Sequence, residues 1–202
     1  MLNVKQYIND TLSSNTYLVW VDDEKECLLV DSGDSDQLLL DLCDNGLNVI
    51  GILLTHGHFD HINGMNKIIS RYPKVKVYTN SFGKDTLFSE KLNLSKYYFN
   101  PYIIEEEDAI EVLPDYCMSL NLIGESISVF HVPGHNPSCL AFGIREYLFT
   151  GDSFIPEVKV ITNIPNADKT LAVKNYEYLE KLSENRIVCA GHGVVIDNRN
   201  NF

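Results

Sequence analysis

Residues 49–61 read VIGILLTHGHFDH, and the fold is decided there. Val49–Leu54 is a short apolar run, the pattern of a buried strand. Thr55-His56-Gly57-His58-Phe59-Asp60-His61 follows at once and packs three imidazoles and a carboxylate into six residues. Next, Ile62–Arg71 carries Ile62, Met65, Ile68 and Ile69 near helical spacing, and Val75–Tyr78 reads as the following strand. Strand, motif loop, helix and strand make a βαβ-like unit, which places the chain in the α/β class.

Upstream, Thr16–Val21 and Cys27–Val30 read as strands separated by a turn over Asp22–Glu26 and closed by Asp31-Ser32-Gly33. A helix is expected after Asp34 and Asp36, with Leu38, Leu39 and Leu42 as its apolar face and Gly46 as its stop. Downstream, residues 80–123 look less regular. They are expected to form either a flap beside the site or a surface excursion with its own small core. Glu105–Asp108 reads as a solvated turn. Strands return at Ser126–Val132, Cys139–Ile144, Tyr147–Thr150 and Ile187–Ala190. A helix over Ala167–Arg186 carries Ala172, Tyr176, Leu179 and Leu182 on one face. One mixed α/β domain spanning residues 1–202 is the economical reading.

The 202 residues carry 16 Lys and Arg against 28 Asp and Glu, a net charge of −12. That balance argues against a nucleic-acid partner, which calls for a basic face. The five cysteines include no C-x-x-C pair, so neither a disulfide framework nor a zinc ribbon is expected. No apolar run reaches the length of a membrane span, and MLNVKQYINDTL lacks a signal-peptide core. A cytoplasmic protein with no membrane partner is the expectation. The sequence leaves the oligomeric state open.

Five of the six histidines fall at the ends of expected strands, where an α/β scaffold collects site residues. His135 follows Val132-Pro133-Gly134, Asp152 follows Thr150-Gly151, and His192 stands between Gly191 and Gly193. Imidazole nitrogen and carboxylate oxygen suit zinc, iron or manganese. In an extended loop His56 and His58 point to the same side, so one ion can take both. Asp60 and His61, just beyond, can serve a second. Gly57 is expected to let the backbone pass close to the ions.

THGHFDH resembles the H-x-H-x-D-H signature of the metallo-β-lactamase superfamily. HVPGH, TGDSF and AGHG resemble its later metal motifs in the same order, from about Asn15 to His192. The resemblance implies a four-layer αβ/βα sandwich with a dimetal site at one edge of two facing sheets. By the same resemblance His56, His58 and His135 hold the first metal, and Asp60, His61 and His192 the second. Asp152 bridges them. Two divalent ions, zinc above all with iron or manganese as alternatives, would share a hydroxide that attacks an ester or thioester carbonyl. Asp60 would be catalytic, orienting that nucleophile or shuttling its proton.

HVPGHNPS and TGDSF point to the short glyoxalase II-like (hydroxyacylglutathione hydrolase-like) branch, with an S-lactoylglutathione-like small molecule as substrate. The sequence ends ten residues after His192, so the helical extension of the long form is not expected. Where the family often has Thr or Ser after the PGH histidine, this chain has Asn136, a departure that bears on substrate preference. The resemblance also suggests Lys159 for an anionic substrate group, and Tyr97, Tyr98 and Phe99 for an apolar pocket or lid. Asp31 is expected to fix loops, His131 to lie buried beside the site, and Cys139 and Cys189 to be small core residues. Rival readings are a mononuclear-iron persulfide dioxygenase, and a lactonase or phosphodiesterase of the same superfamily. Oxygen-reducing relatives paired with flavin domains carry Glu where this chain has His58, which argues against them.

Overall fold

A computed structural model describes residues 1–98 and 100–200, apart from the Asn200 side chain. Its first sheet contains β1 (Leu2–Ile8), β2 (Asn15–Val21), β3 (Glu26–Val30), β4 (Asn48–Leu53), β5 (Lys76–Thr79) and β6 (Ile110–Val112), in that spatial order. The first three strands run antiparallel, whereas β3 to β6 pair in parallel. Parallel pairing needs crossovers, and α1 (Asp36–Asp44) and α2 (Met65–Arg71) supply two of them. Ser35 caps α1 by accepting from Leu38 N, and Gly46 ends it at φ +59°. The helix expected from Ile62 starts at Met65, because Phe59–His61 forms a separate 3₁₀ turn.

The second sheet contains β7 (Ser119–Leu122), β8 (Glu125–His131), β9 (Leu140–Ile144), β10 (Tyr147–Gly151), β11 (Ile187–Ala190) and β12 (Ile196–Asp197). Only β10 and β11 pair in parallel, joined by the long helix at Lys169–Leu182.

Three apolar clusters mark the layers. Leu38, Leu42, Met65 and Ile68 pack with Leu29, Ile52 and Val77 on the outer face of the first sheet. Leu28, Leu53, Phe142 and Phe149 fill the space between the sheets. Leu179 packs with Val132, Ala141 and Val188 on the outer face of the second. Each fully buried Leu or Phe contributes roughly 1.5–3 kcal/mol. Helix, sheet, sheet, helix is the expected four-layer αβ/βα sandwich.

Residues 80–123 differ from expectation. They contain α3 (Ser81–Leu87) besides β6 and β7, which makes the Lys169–Leu182 helix α4. They build no core of their own: Leu87, Ile104 and Ala109 join the outer cluster, and Leu113 joins the cluster between the sheets. Glu105–Asp108 is exposed, as a solvated turn should be. Cys139 and Cys189 are buried core residues. Among the described residues no helix is long and apolar enough to cross a membrane.

Candidate metal centre

The parallel strands β3, β4, β10 and β11 all deliver their C-terminal ends to one edge of the sandwich, where loops leave the sheets and side chains can converge. Asp31 follows β3 and is buried. Its Oδ1 accepts from Thr55 N at 2.7 Å, and its Oδ2 from Thr55 Oγ1 at 2.7 Å and His61 Nδ1 at 2.9 Å. Asp31 therefore ties the two ends of the histidine motif together, as its expected loop-fixing role requires. Phe59 N donates to Asn93 O at 2.9 Å, and Ser14 Oγ to the Asp60 carbonyl at 2.7 Å. The motif loop is pinned from both flanks.

A Cβ at Gly57 would run into the Thr86 side chain of α3, so its small size admits that helix against the motif loop. Gly191 is the glycine that faces the cluster: a Cβ there would strike Asp152 Oδ1 and press on His61.

His135 stands in the loop between β8 and β9, which is held against α4. Asp168 caps that helix by accepting from Thr170 N and Leu171 N at 2.8 and 2.9 Å, while its own N–H donates to Gly134 O at 2.7 Å. Gly191 N donates to Gly151 O at 2.9 Å, which fixes the His192 loop beside the Asp152 loop. From the other sheet, Asn15 Nδ2 and Tyr17 Oη donate to Ala190 O at 3.0 and 2.7 Å, and Asn15 N donates to Gly191 O at 2.7 Å.

All seven residues singled out in the sequence meet at this edge. Donor atoms of His56, His58 and His135 lie within 4.8 Å of one another, as do those of His56, His61 and Asp152, and those of Asp60, His61 and His192. Asp60 Oδ2 is 3.4 Å from both His61 Nε2 and His192 Nε2. Asp152 Oδ1 is 3.6 Å from His61 Nε2, and its Oδ2 lies 3.5 Å from His135 Nε2, 3.6 Å from His192 Nε2 and 4.0 Å from His56 Nε2. These gaps exceed hydrogen-bond length. The gaps of 3.4–3.6 Å lie close to the edge of a tetrahedron with bonds of about 2.0–2.1 Å, which is about 3.3–3.4 Å. His56 Nε2, His61 Nε2 and Asp152 Oδ1 are buried without a hydrogen-bond partner. Buried polar atoms left so are rare and costly, and a cation shared among them satisfies all three. The donor set therefore fits divalent metal.

The electrostatics agree. Burial and the neighbouring rings push His56 far below the usual imidazole range, and burial beside His135 takes His58 down to about 3. Both rings are neutral and keep a lone pair. Burial opposes the charges of Asp60 and Asp152, yet His61 and His192 beside them hold both carboxyls below their ordinary value. His61 and His192, against the cost of burial, are raised to about 9 and about 10 by those carboxylates. Without metal, two imidazoliums neutralise two carboxylates.

Asp152, His135 and His192 open onto a cavity of about 250 Å³ walled by Ile155, Val158, Val160 and Ile161, with Lys159 at its rim. His192 is its most open histidine, at 28% side-chain exposure. The sequence pointed to Lys159 but not to this apolar wall, whose IPEVKVI run carries no strand or helix period. The Tyr98 ring lies tilted at 40° against Phe59, centroids 4.2 Å apart, and neither Tyr97 nor Tyr98 lines the cavity. Phe99 lies outside the described residues. His131 is half-buried on β8, with an unpartnered Nε2.

A four-layer sandwich with histidines and aspartates converging at the sheet edge defines a class of metalloprotein fold. The chain belongs to the metallo-beta-lactamase superfamily, whose family model matches residues 9–192. It is similar to the hydroxyacylglutathione hydrolase of Buchnera aphidicola subsp. Schizaphis graminum, with 26% identity over 187 residues, 90% of this chain. It spans 64% of that relative's length. Among solved structures, the BLEG-1 B3 metallo-beta-lactamase superposes with a TM-score of 0.89 at 28% identity, covering 97% of this chain and 94% of that one. TTHA1623 in a di-iron-bound form gives 0.78 at 25% identity, covering 96% and 94%.

Proposed function

We propose that the protein is a metal-dependent hydrolase of small esters or thioesters. The observation that carries this reading is the convergence of seven donor side chains, three with orphaned buried atoms, beside an apolar cavity. His56, His58 and His135 would hold one ion, Asp60, His61 and His192 a second, with Asp152 between. Divalent ions there, zinc or iron by the chemistry of the donors, supply Lewis acidity and lower the pKa of water toward neutrality. Asp60, held ionised, orients the attacking water and takes its proton. Asp31 keeps the His61 ring in place through Nδ1. Ile155, Val158, Val160 and Ile161 exclude bulk water and seat the acyl group, and Lys159 draws in an anionic group at the rim.

The test is hydrolysis of S-lactoylglutathione by protein loaded with zinc, iron or manganese, with metal content measured. Turnover lost in Asp60→Asn supports a thioesterase. Turnover only of lactones or phosphodiesters would move the substrate class. Oxygen uptake with a persulfide and one bound iron would replace hydrolysis by dioxygenation. For Lys159→Ala, KM should rise for the anionic thioester and stay unchanged for a neutral ester.

A further inference from the structure

Behind the apolar wall of the cavity lies a second hollow, a groove of about 410 Å³ between residues 157–162 and α4. Val158, Val160, Ala172, Val173 and Tyr176 supply its apolar lining. Val158, Lys159 and Val160 border both this groove and the 250 Å³ cavity beside Asp152, so the two hollows adjoin along residues 158–160.

The divide between them is fixed at both ends. Val158 N donates to Ile155 O at 3.0 Å across a tight turn in which Glu157 takes a left-handed φ of +64°. The Ile161 carbonyl accepts from His135 Nδ1 at 2.9 Å. The groove floor is firm as well. Tyr176 meets Phe154 edge-on with centroids 4.8 Å apart, and Phe154 and Ala172 are buried. Apolar side chains nevertheless stay in water along the course: Ile161 is 55% exposed, Val158 49% and Val173 52%. Singly such residues are ordinary, but here they follow one concave course that begins at the metal donors.

Charge decides what can lie there. Glu157, Glu177 and Glu180 border the groove against Lys159 and Lys169, a balance that disfavours an anionic tail. An uncharged hydrocarbon is indifferent to that rim, and its methylenes displace water from the valines.

We propose that this course binds an unbranched hydrocarbon acyl chain, so that the substrates are esters or thioesters of medium-chain aliphatic acids. The near methylenes lie among Ile155, Val158, Val160 and Ile161, and the tail rests on Val173 and Tyr176 of α4. The inference rests on the hydrolase reading and names the acyl side of its substrate.

The test gives zinc-loaded protein a series of N-acetylcysteamine thioesters, from acetyl through butyryl and hexanoyl to octanoyl, below their micelle concentrations. kcat/KM should rise about twofold to fourfold per added methylene, the upper figure corresponding to full burial. A flat or falling series would overturn the proposal. Val173→Glu, at an exposed helix position, should cut the octanoyl-to-acetyl ratio by about tenfold, the effect of roughly two methylenes. Val173→Leu should keep the ratio. A ratio unchanged in Val173→Glu would take α4 out of the course and overturn the proposal. Calorimetry of metal-free protein with octanamide and butanamide reads the course without turnover. Octanamide should bind about tenfold tighter or better, and equal binding would overturn the proposal. Tighter octanamide binding with no thioester cleaved would overturn the hydrolase reading while supporting the hydrocarbon course. A dimer that Val173→Glu dissociates, with a flat acyl series, would assign the groove to a second copy of the chain and overturn the proposal.

Discussion

The two sides of the cluster are built in opposite ways. His56, His58, Asp60 and His61 come from one loop, tied at both ends by Asp31 and backed by α3. His135, Asp152 and His192 come singly from three loops of the second sheet, each placed by a neighbour distant in sequence. The first side is local and over-determined, whereas the second depends on the whole sandwich being assembled. One anchor removed from the first side should therefore cost fold stability. One removed from the second should mainly cost metal.

Asp31→Ala is the strongest challenge to that contrast. It strips three buried donors of their acceptor and leaves His61 loose, so a loss of roughly 3 kcal/mol is expected by urea unfolding of metal-free protein. A loss below about 1 kcal/mol would mean that the motif loop is not held by this carboxylate. Gly191→Ala should do the reverse. Its methyl group displaces Asp152 Oδ1 and also meets the Gly151 backbone, so zinc affinity should fall roughly 10–100-fold by competition with a chelator, with a smaller loss of unfolding stability than Asp31→Ala gives. Asp168→Ala removes the cap of α4 and slackens the Gly134 loop, so metal affinity should fall, less than in Gly191→Ala, beside about 1 kcal/mol lost from the cap itself in thermal unfolding.

The smallest effect belongs to the periphery of the first side, where Asp41 of α1 receives Lys5 and Tyr7 from β1. Those partners and Gln37 lower the Asp41 carboxyl to about 2. A depressed carboxyl stabilises above its unfolded value of about 3.9, and the contribution disappears as pH falls through the folded value near 2. Asp41→Asn should cost at most about 1 kcal/mol at pH 7, given the solvent screening of this pair. The cost should shrink steadily in unfolding curves taken below pH 4.

The same division explains what the sequence made legible. Apolar period and strand-end histidines revealed β2 to β5, α1 and the converging residues, because each signal is local, whereas the four-layer scheme came from the resemblance to the superfamily. β1 passed unread: its core contacts come from Leu2, Val4 and Tyr7, while Lys5 and Gln6 bond at the surface. α3 passed unread because Gly83 interrupts it. That glycine seats the helix against Thr79, a contact that no propensity reveals. Asn136 was visible as a departure from Thr or Ser and was referred to the substrate. Its amide meets the His58 ring, and the Ser138 contacts fix which way it faces.

Asn15 and Tyr17 of β2 grip the carbonyls of Ala190 and Gly191, across more than 170 positions of chain. That stitch sets a clock on biosynthesis. His192 leaves the ribosome 131 residues after His61 (192 − 61), which at about 5–20 residues per second is roughly 7–26 seconds later. During that interval the histidine loop stands without the second-sheet residues that complete the cluster.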